Sequence, residues 1–231
     1  MPSEERLGFI RLSLMLLRNP PDALKALSKE SDYMGLIMYG GIASILIGAT
    51  EYLRLSKVMG CLVELTGEPY GEISRSLIMS EVLPVSLFDL VCLFGYMFLV
   101  LTVAYVLNRF LFKREAPFSI ILSAAGYLMM YMDFFIVTTL IVALIIPPIF
   151  NVSIHPGTYG VIAPLLRDYS SLPQIQQLLG LGYIISRAGY ITMTAAILLS
   201  LRYISDNTWE EIAVMSLAVL PVYIVLWGWH L

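Results

Sequence analysis

Two charged residues that lie inside apolar runs are the first candidates for chemistry in this chain. Asp133 is the only formal charge between Phe118 and Ile146, and Arg187 lies in the middle of the apolar run 175–201. A charge at the centre of a bilayer costs at least ~2.5–3.5 kcal/mol, so neither side chain is expected to face lipid. Consecutive runs are antiparallel neighbours by default, and both charges fall near mid-depth. The sequence therefore predicts an intramembrane polar pair.

This pair has two interpretations that the residues alone leave open. Asp133 can be a group that handles protons or cations, with Arg187 as its gate or counter-ion. Alternatively, the two residues form a structural ion pair that holds two helices in register. Around Asp133, small and polar residues recur at steps of three and four, which predicts a stripe that faces the bundle interior. The stripe comprises Ser119, Ser123, Gly126, Met130, Asp133 and Val137.

Two further acids, Glu51 and Asp89, are also embedded in apolar runs. Glu51 lies three residues before Arg54, a spacing at which the two side chains pair on a helix. Asp89 lies six residues inside its run, roughly 9 Å along the helix axis and within reach of the interface. In a transport mechanism, these acids would extend a polar route that includes Asp133.

No motif in the chain predicts an enzyme. G-x-S-x-G, H-E-x-x-H, the Walker loop and a cluster of two aspartates are all missing. The two histidines, His155 and His230, lie in a loop and at the terminus, and the only cysteines are Cys61 and Cys92. We therefore expect no catalytic residues, no metal and no cofactor. The chain also lacks the basic block that a nucleic-acid partner would require.

The elements that must position these residues are membrane helices. The chain is 58% hydrophobic and 13% charged, whereas an ordinary soluble domain is roughly 45–50% apolar and 25% charged. We predict an all-α, polytopic membrane protein with an N-terminal segment, 1–32, and a five-span membrane domain, 33–231. The predicted spans are 33–53, 83–107, 118–146, 175–201 and 209–229, with loops at 55–82 and 149–176. Two apolar patches in the first loop, Leu62–Leu65 and Ile73–Met79, indicate a short surface helix or two. At the start of the fifth span, Thr208 and Glu211 have the spacing of a capping box.

The N-terminal segment begins with a predicted amphipathic helix over 4–18. Its apolar stripe comprises Leu7, Ile10, Leu14 and Leu17, and two arginines, Arg11 and Arg18, lie on another face. Such a helix either meets anionic headgroups at the membrane surface or packs against the spans of the protein itself. The pattern favours neither alternative.

The distribution of basic residues predicts the orientation. Five spans put the termini on opposite sides of the membrane. With the N-terminus in the cytoplasm, nine basic residues lie inside and four outside, which agrees with the positive-inside rule. We therefore expect an integral, multi-pass protein with its N-terminus cytoplasmic and its C-terminus outside, in the cell membrane if the source is prokaryotic.

Three short stretches resemble the Yip family of five-span membrane proteins. They are the proline-led segment Pro21–Leu27, the Asp-x-x-Gly element from Asp32 to Gly35, and the dipeptide Gly126-Tyr127. Leu36 and Leu128 stand where fuller versions of the motifs have proline and serine. The resemblance implies a five-span layout with a cytoplasmic N-terminus, and Asp32, Gly35, Gly126 and Tyr127 as partner or packing residues. Eukaryotic members of the family act with Rab-type GTPases in vesicle traffic.

Together, these observations predict a non-enzymatic membrane scaffold or adaptor that resembles the Yip family. Its expected partners are membrane lipids and either another protein or a second copy of the chain. The alternative is a small transporter or channel that uses Asp133 and Arg187 for proton or ion handling. Simpler roles also fit the motif residues: Asp32 can cap a helix, and Gly126 can allow two helices to pack closely.

Overall fold

All regular structure in the described part of the chain is helical. The computed structural model describes residues 8–29, 31–67, 69–148 and 171–228. The α-helices there are α1 (Phe9–Arg18), α2 (Pro20–Leu27), α3 (Met34–Thr66), α4 (Tyr70–Leu77), α5 (Leu83–Val106), α6 (Phe118–Ile145), α7 (Pro173–Ile204) and α8 (Trp209–Gly228). The predicted loop at 149–176 lies outside the described residues up to position 170, as do His155 and His230.

Four helical runs among these residues are long and apolar enough to cross a membrane. They are Met34–Met59, Tyr70–Leu111, Phe118–Ile145 and Pro173–Ile204. Large apolar side chains are exposed along their outer faces, among them Ile45, Val91 and Ile184. Exposed apolar area on this scale is unfavourable in water and favourable in lipid, so the chain is a multi-pass membrane protein. The third predicted span, 118–146, agrees with α6 to within one residue.

The prediction of a loop at 55–82 is wrong, because α3 continues to Thr66 and a second helix begins at Tyr70. The extra turns of α3 bury apolar side chains against α4, the end of α6 and the start of α7. This cluster comprises Val58, Met59, Leu62, Ile73, Leu77, Ile146 and Ile175. Gly67 ends α3 with a φ of 70°, and its N–H donates to the Val63 carbonyl at 3.0 Å, the αL form of helix termination.

Helix α5 is part of a longer continuous helix than the prediction of 83–107 indicated. A π-helical turn at Ile78–Val82 joins α4 to α5, and a second one at Leu107–Leu111 extends α5. The whole run from Tyr70 to Leu111 has 42 residues, which corresponds to ~63 Å. This length exceeds the ~30 Å hydrocarbon core, so part of the run extends beyond the core.

The chain divides into two compact units. Unit 1 comprises Met1–Gly41, Leu93–Met132 and Tyr190–Leu231, and unit 2 comprises Ile42–Cys92 and Asp133–Gly189. Helices α3, α5, α6 and α7 each contribute residues to both units. The interior of unit 1 is lined by buried residues of α5, α6 and α7, among them Met97, Leu101, Met129, Ile197 and Leu201.

A buried polar cluster in unit 1 connects the end of α5 to the turn before α8. The predicted capping box is confirmed: the Thr208 N–H donates to Glu211 Oε2 at 2.9 Å, and the Glu211 N–H donates to Thr208 Oγ1 at 3.3 Å. Glu211 also accepts two hydrogen bonds from the guanidinium of Arg114. Asn207 donates to the side-chain oxygen of Asn108 at 2.7 Å, a contact that sequence reasoning missed.

Candidate functional site

The four residues that carry the family resemblance meet where α3 begins beside α6, within unit 1. The Tyr127 hydroxyl donates to Asp32 Oδ2 at 2.6 Å. The other carboxylate oxygen of Asp32 accepts the backbone N–H of Met34, the first residue of α3, at 2.9 Å. Asp32 therefore caps the first turn of α3 and connects it to α6 at the same time. We call this group of contacts the α3–α6 crossing.

Ser123 strengthens the α3–α6 crossing from one turn earlier on α6. Its hydroxyl donates to the backbone carbonyl of Asp32 at 2.6 Å and accepts the backbone N–H of Asp32 at 2.9 Å. Ser123 is fully buried, so both bonds form away from water, where an unmade bond would be costly. The side chain and the backbone of Asp32 are thus both bonded to α6.

The two glycines allow the helices to approach at this point. A Cβ atom on Gly126 would lie 2.6 Å from the backbone nitrogen of Leu36, and a Cβ on Gly35 would lie 2.8 Å from the backbone nitrogen of Tyr127. Real Cβ atoms do not come this close to backbone atoms. Each glycine is therefore required by the close packing of backbone on backbone, as in other membrane helix pairs with small residues at the interface.

Helix α1 covers the α3–α6 crossing with an aromatic ring. The Phe9 ring centroid lies 5.8 Å from that of Tyr127 and 5.3 Å from that of Tyr39, with the rings tilted. These separations are favourable for aromatic pairs. Tyr39 in turn donates its hydroxyl to the sulfur of Met130 at 3.3 Å. Phe9 was not among the candidates from the sequence, because nothing in its spacing distinguishes it from the other apolar residues of α1.

The contacts at the α3–α6 crossing are suited to holding the two helices together. The Asp32 carboxylate is engaged through both oxygens, and the Tyr127 side chain is completely buried. Both groups therefore make their contacts within the protein. Within the described residues, no group of three or more His, Cys, Asp or Glu side chains could hold a metal ion.

Asp133 and Arg187, both in unit 2, do not form the predicted ion pair. Asp133 is only 7% exposed, and neither of its carboxylate oxygens has a hydrogen-bond partner among the described residues. Arg187 instead donates to the hydroxyl of Tyr183 and lies 4.5 Å above the ring of that residue. Tyr183 is one turn earlier on α7, so the same helix supplies a partner for Arg187.

The other two embedded acids lie together in unit 2. The predicted pairing of Glu51 with Arg54 is confirmed, with 3.1 Å between Glu51 Oε1 and Arg54 Nη1. Asp89 interacts electrostatically with both of these residues. The Arg54 guanidinium thus lies near both carboxylates and bonds to that of Glu51. The predicted stripe on α6 is buried at Ser123, Met130 and Asp133, but Val137 at its end is 38% exposed.

Comparisons with known proteins do not assign this chain to a family. No protein-family model, no curated protein and no solved structure matches it. The resemblance to the Yip family stays a prediction that rests on the motif residues described above.

The first prediction concerns the glycine contact. We expect Gly126→Ala to lower the free energy of unfolding by about 1–3 kcal/mol, because the new methyl group overpacks the backbone of α3. This corresponds to a fall of about 2–4 °C in Tm per kcal/mol, measured by thermal unfolding in detergent micelles. The control is Gly95→Ala in α5, where a Cβ has no atom within 4 Å. Equal Tm values for the two variants would contradict the contact.

The second prediction concerns the tyrosine hydroxyl. We expect Tyr127→Phe to destabilise the protein by about 1.5–3 kcal/mol, because it removes a donor to a carboxylate. Tyr39→Phe is the matched control, since Tyr39 also contacts Phe9 but donates only to a sulfur atom. We expect Tyr39→Phe to lower the free energy of unfolding by less than Tyr127→Phe does. Denaturant unfolding of both variants measures the difference. If Tyr39→Phe were the more damaging change, the Asp32–Tyr127 bond would not hold the crossing together.

Proposed function

We propose that this chain is a non-enzymatic membrane scaffold or adaptor, as the resemblance to the Yip family implies. The observation that carries the proposal is the α3–α6 crossing. The polar groups of Asp32, Ser123 and Tyr127 are hydrogen-bonded to one another. The two glycines leave room for the backbones of α3 and α6 to touch. The motif thus supports a fixed framework. A fixed framework is what a protein needs if it acts by presenting its surfaces to partners.

The proposed layout has five spans, with the N-terminus in the cytoplasm and the C-terminus outside. Helix α8 is the fifth span in this proposal: its 20 residues correspond to ~30 Å, the thickness of the hydrocarbon core. Its acidic residues, Glu210 and Glu211, lie in the first turn, at the end of the helix. The excess of basic residues on the N-terminal side supports the orientation. In a prokaryote, the protein would lie in the cell membrane.

The partners of such a scaffold would be another membrane protein or a second copy of the chain. In a membrane, helices associate through close packing and polar contacts, because lipid removes the hydrophobic gain of association. Gly41 supports this role, since a Cβ on it would meet no atom within 4 Å. Small residues of this kind on outer helix surfaces allow a partner helix to approach.

A transporter or channel is the second candidate, and Asp133 is the observation that favours it. A buried intramembrane carboxylate with no partner among the described residues is a candidate ion- or proton-binding group. The Glu51–Arg54–Asp89 group adds further charge within unit 2. The burial of both Asp133 oxygens weighs against an open pathway, so we rank transport second.

The adaptor proposal predicts that the protein is purified with a stoichiometric partner. After extraction in a gentle detergent, we expect a second protein or a second copy of the chain to co-elute in size-exclusion chromatography, and mass spectrometry identifies it. Gly126→Ala should reduce the amount of partner, because it disturbs the framework, whereas Gly8→Ala, outside the spans and with open space around its Cβ, should not. A chain that always elutes alone as a monomer would contradict the proposal.

Asp133→Asn discriminates between the two candidates. If the protein is a scaffold, this variant keeps its partner and its Tm, because it removes a buried charge that no described residue compensates. If it is a proton-coupled transporter, the variant loses proton flux when reconstituted into vesicles, measured with an internal pH-sensitive dye. Arg187→Gln is a useful companion, because it removes a charge that is held by Tyr183 and is expected to lower Tm. Flux that is present in the wild type and abolished by Asp133→Asn would overturn the scaffold proposal.

A further inference from the structure

Helix α1 has two apolar sides, and only one of them packs on the protein. Leu12 and Leu16 are buried, together with much of Phe9. Three residues of the stripe predicted from the sequence lie on the opposite side: Ile10 is 72% exposed, and Leu14 and Leu17 are each 49% exposed. The fourth, Leu7, lies outside the described residues. One face of α1 therefore packs on the protein, as the second alternative predicts, and the other face is exposed.

The exposed stripe is bordered by positive charge. Arg11 and Arg18 are the only charged residues of α1, and both are exposed. They are seven residues apart, so they share one side of the helix, next to Leu14. Ile10, Arg11, Leu14 and Arg18 line a common groove. Neither arginine forms an ion pair with a described residue, so both charges are available to an anion.

The position of α1 relative to α3 indicates which layer of the bilayer surrounds its exposed face. Phe9 contacts Tyr39, which is the sixth residue of α3 and lies ~8 Å from the start of that helix. Helix α1 therefore lies beside the first turns of a membrane span. Headgroups and the upper parts of acyl chains occupy this level of a bilayer.

We propose that this face of α1 docks on an anionic lipid leaflet. Ile10, Leu14 and Leu17 enter the boundary between headgroups and acyl chains, and Arg11 and Arg18 bind lipid phosphates. Helix α1 carries two cations and no acid, so it has a net positive charge. A zwitterionic surface would leave this charge without a counter-charge, and we therefore infer that the lipid is anionic. The proposal goes beyond the scaffold function and does not depend on it, since a transporter would have the same lipid contact.

The depth of this face can be measured with spin labels in the full-length protein. In a background in which Cys61 and Cys92 are replaced by serine, Ile10→Cys and Leu14→Cys are labelled and reconstituted into nanodiscs that contain phosphatidylglycerol. We expect both labels to collide with oxygen and to be shielded from an aqueous nickel complex. A label at Lys25→Cys, on the exposed side of α2, is the control and should be accessible to nickel.

The role of the arginines is tested by lipid retention. In a detergent wash, wild-type protein should retain phosphatidylglycerol in preference to phosphatidylcholine. In the double variant Arg11→Gln, Arg18→Gln, the ratio of retained phosphatidylglycerol to phosphatidylcholine should fall about fivefold for each arginine removed. In the control double variant Lys25→Gln, Lys29→Gln, this ratio should fall much less. The Tm of each variant shows whether it has folded. The labelling experiment keeps both arginines, so it tests the depth of the face even if the arginine variants do not fold.

Three results would overturn the proposal. Labels at both positions that are accessible to nickel would put the face in water. Labels that are shielded from both oxygen and nickel would indicate that a protein surface covers it, either a partner or a second copy. Equal retention of phosphatidylglycerol by the two double variants would show that the arginines do not select the lipid. A failure of the scaffold function is measured separately, by the lack of a co-purifying partner.

Discussion

The close backbone contact between α3 and α6 is the constraint on which unit 1 depends. Lipid offers helices no hydrophobic reason to associate, so van der Waals contact and hydrogen bonds must hold them. Gly35 and Gly126 permit the contact, and the bond from Tyr127 to Asp32 secures it. Helix α1 depends on the same place, because Phe9 packs on the tyrosine that makes this bond.

Charged side chains in the apolar runs of unit 2 tend to have a partner close by on the same helix. Arg187 uses Tyr183 one turn away, and Glu51 uses Arg54 three residues away. Such local pairs need no particular arrangement of neighbouring helices. Asp133 is the exception, since no described residue bonds to its carboxylate. This contrast is why Asp133 is the residue on which the proposed alternative of transport mainly rests.

Local patterns could be predicted from the sequence, whereas the rotation and extent of helices could not. The Glu51–Arg54 pair and the cap at Thr208 depend on spacing within one helix, and both are confirmed. The Asp133–Arg187 pair was inferred from depth alone, and depth does not determine which way a side chain points. The loop predicted at 55–82 failed in extent: its apolar patches indicated short helices, but not that α3 continues to Thr66 and packs on α4. The meeting of Asn108 with Asn207, 99 positions apart, has no local signal.

The two hydrogen bonds between Ser123 and the backbone of Asp32 have a mechanical consequence. They fasten the chain to α6 at the point where the N-terminal helices give way to the first span. A pulling force that reaches Asp32 from the N-terminal side is therefore passed to α6 as well as to α3. The N-terminal segment is thus mechanically coupled to α6, and Ser123 makes the connection.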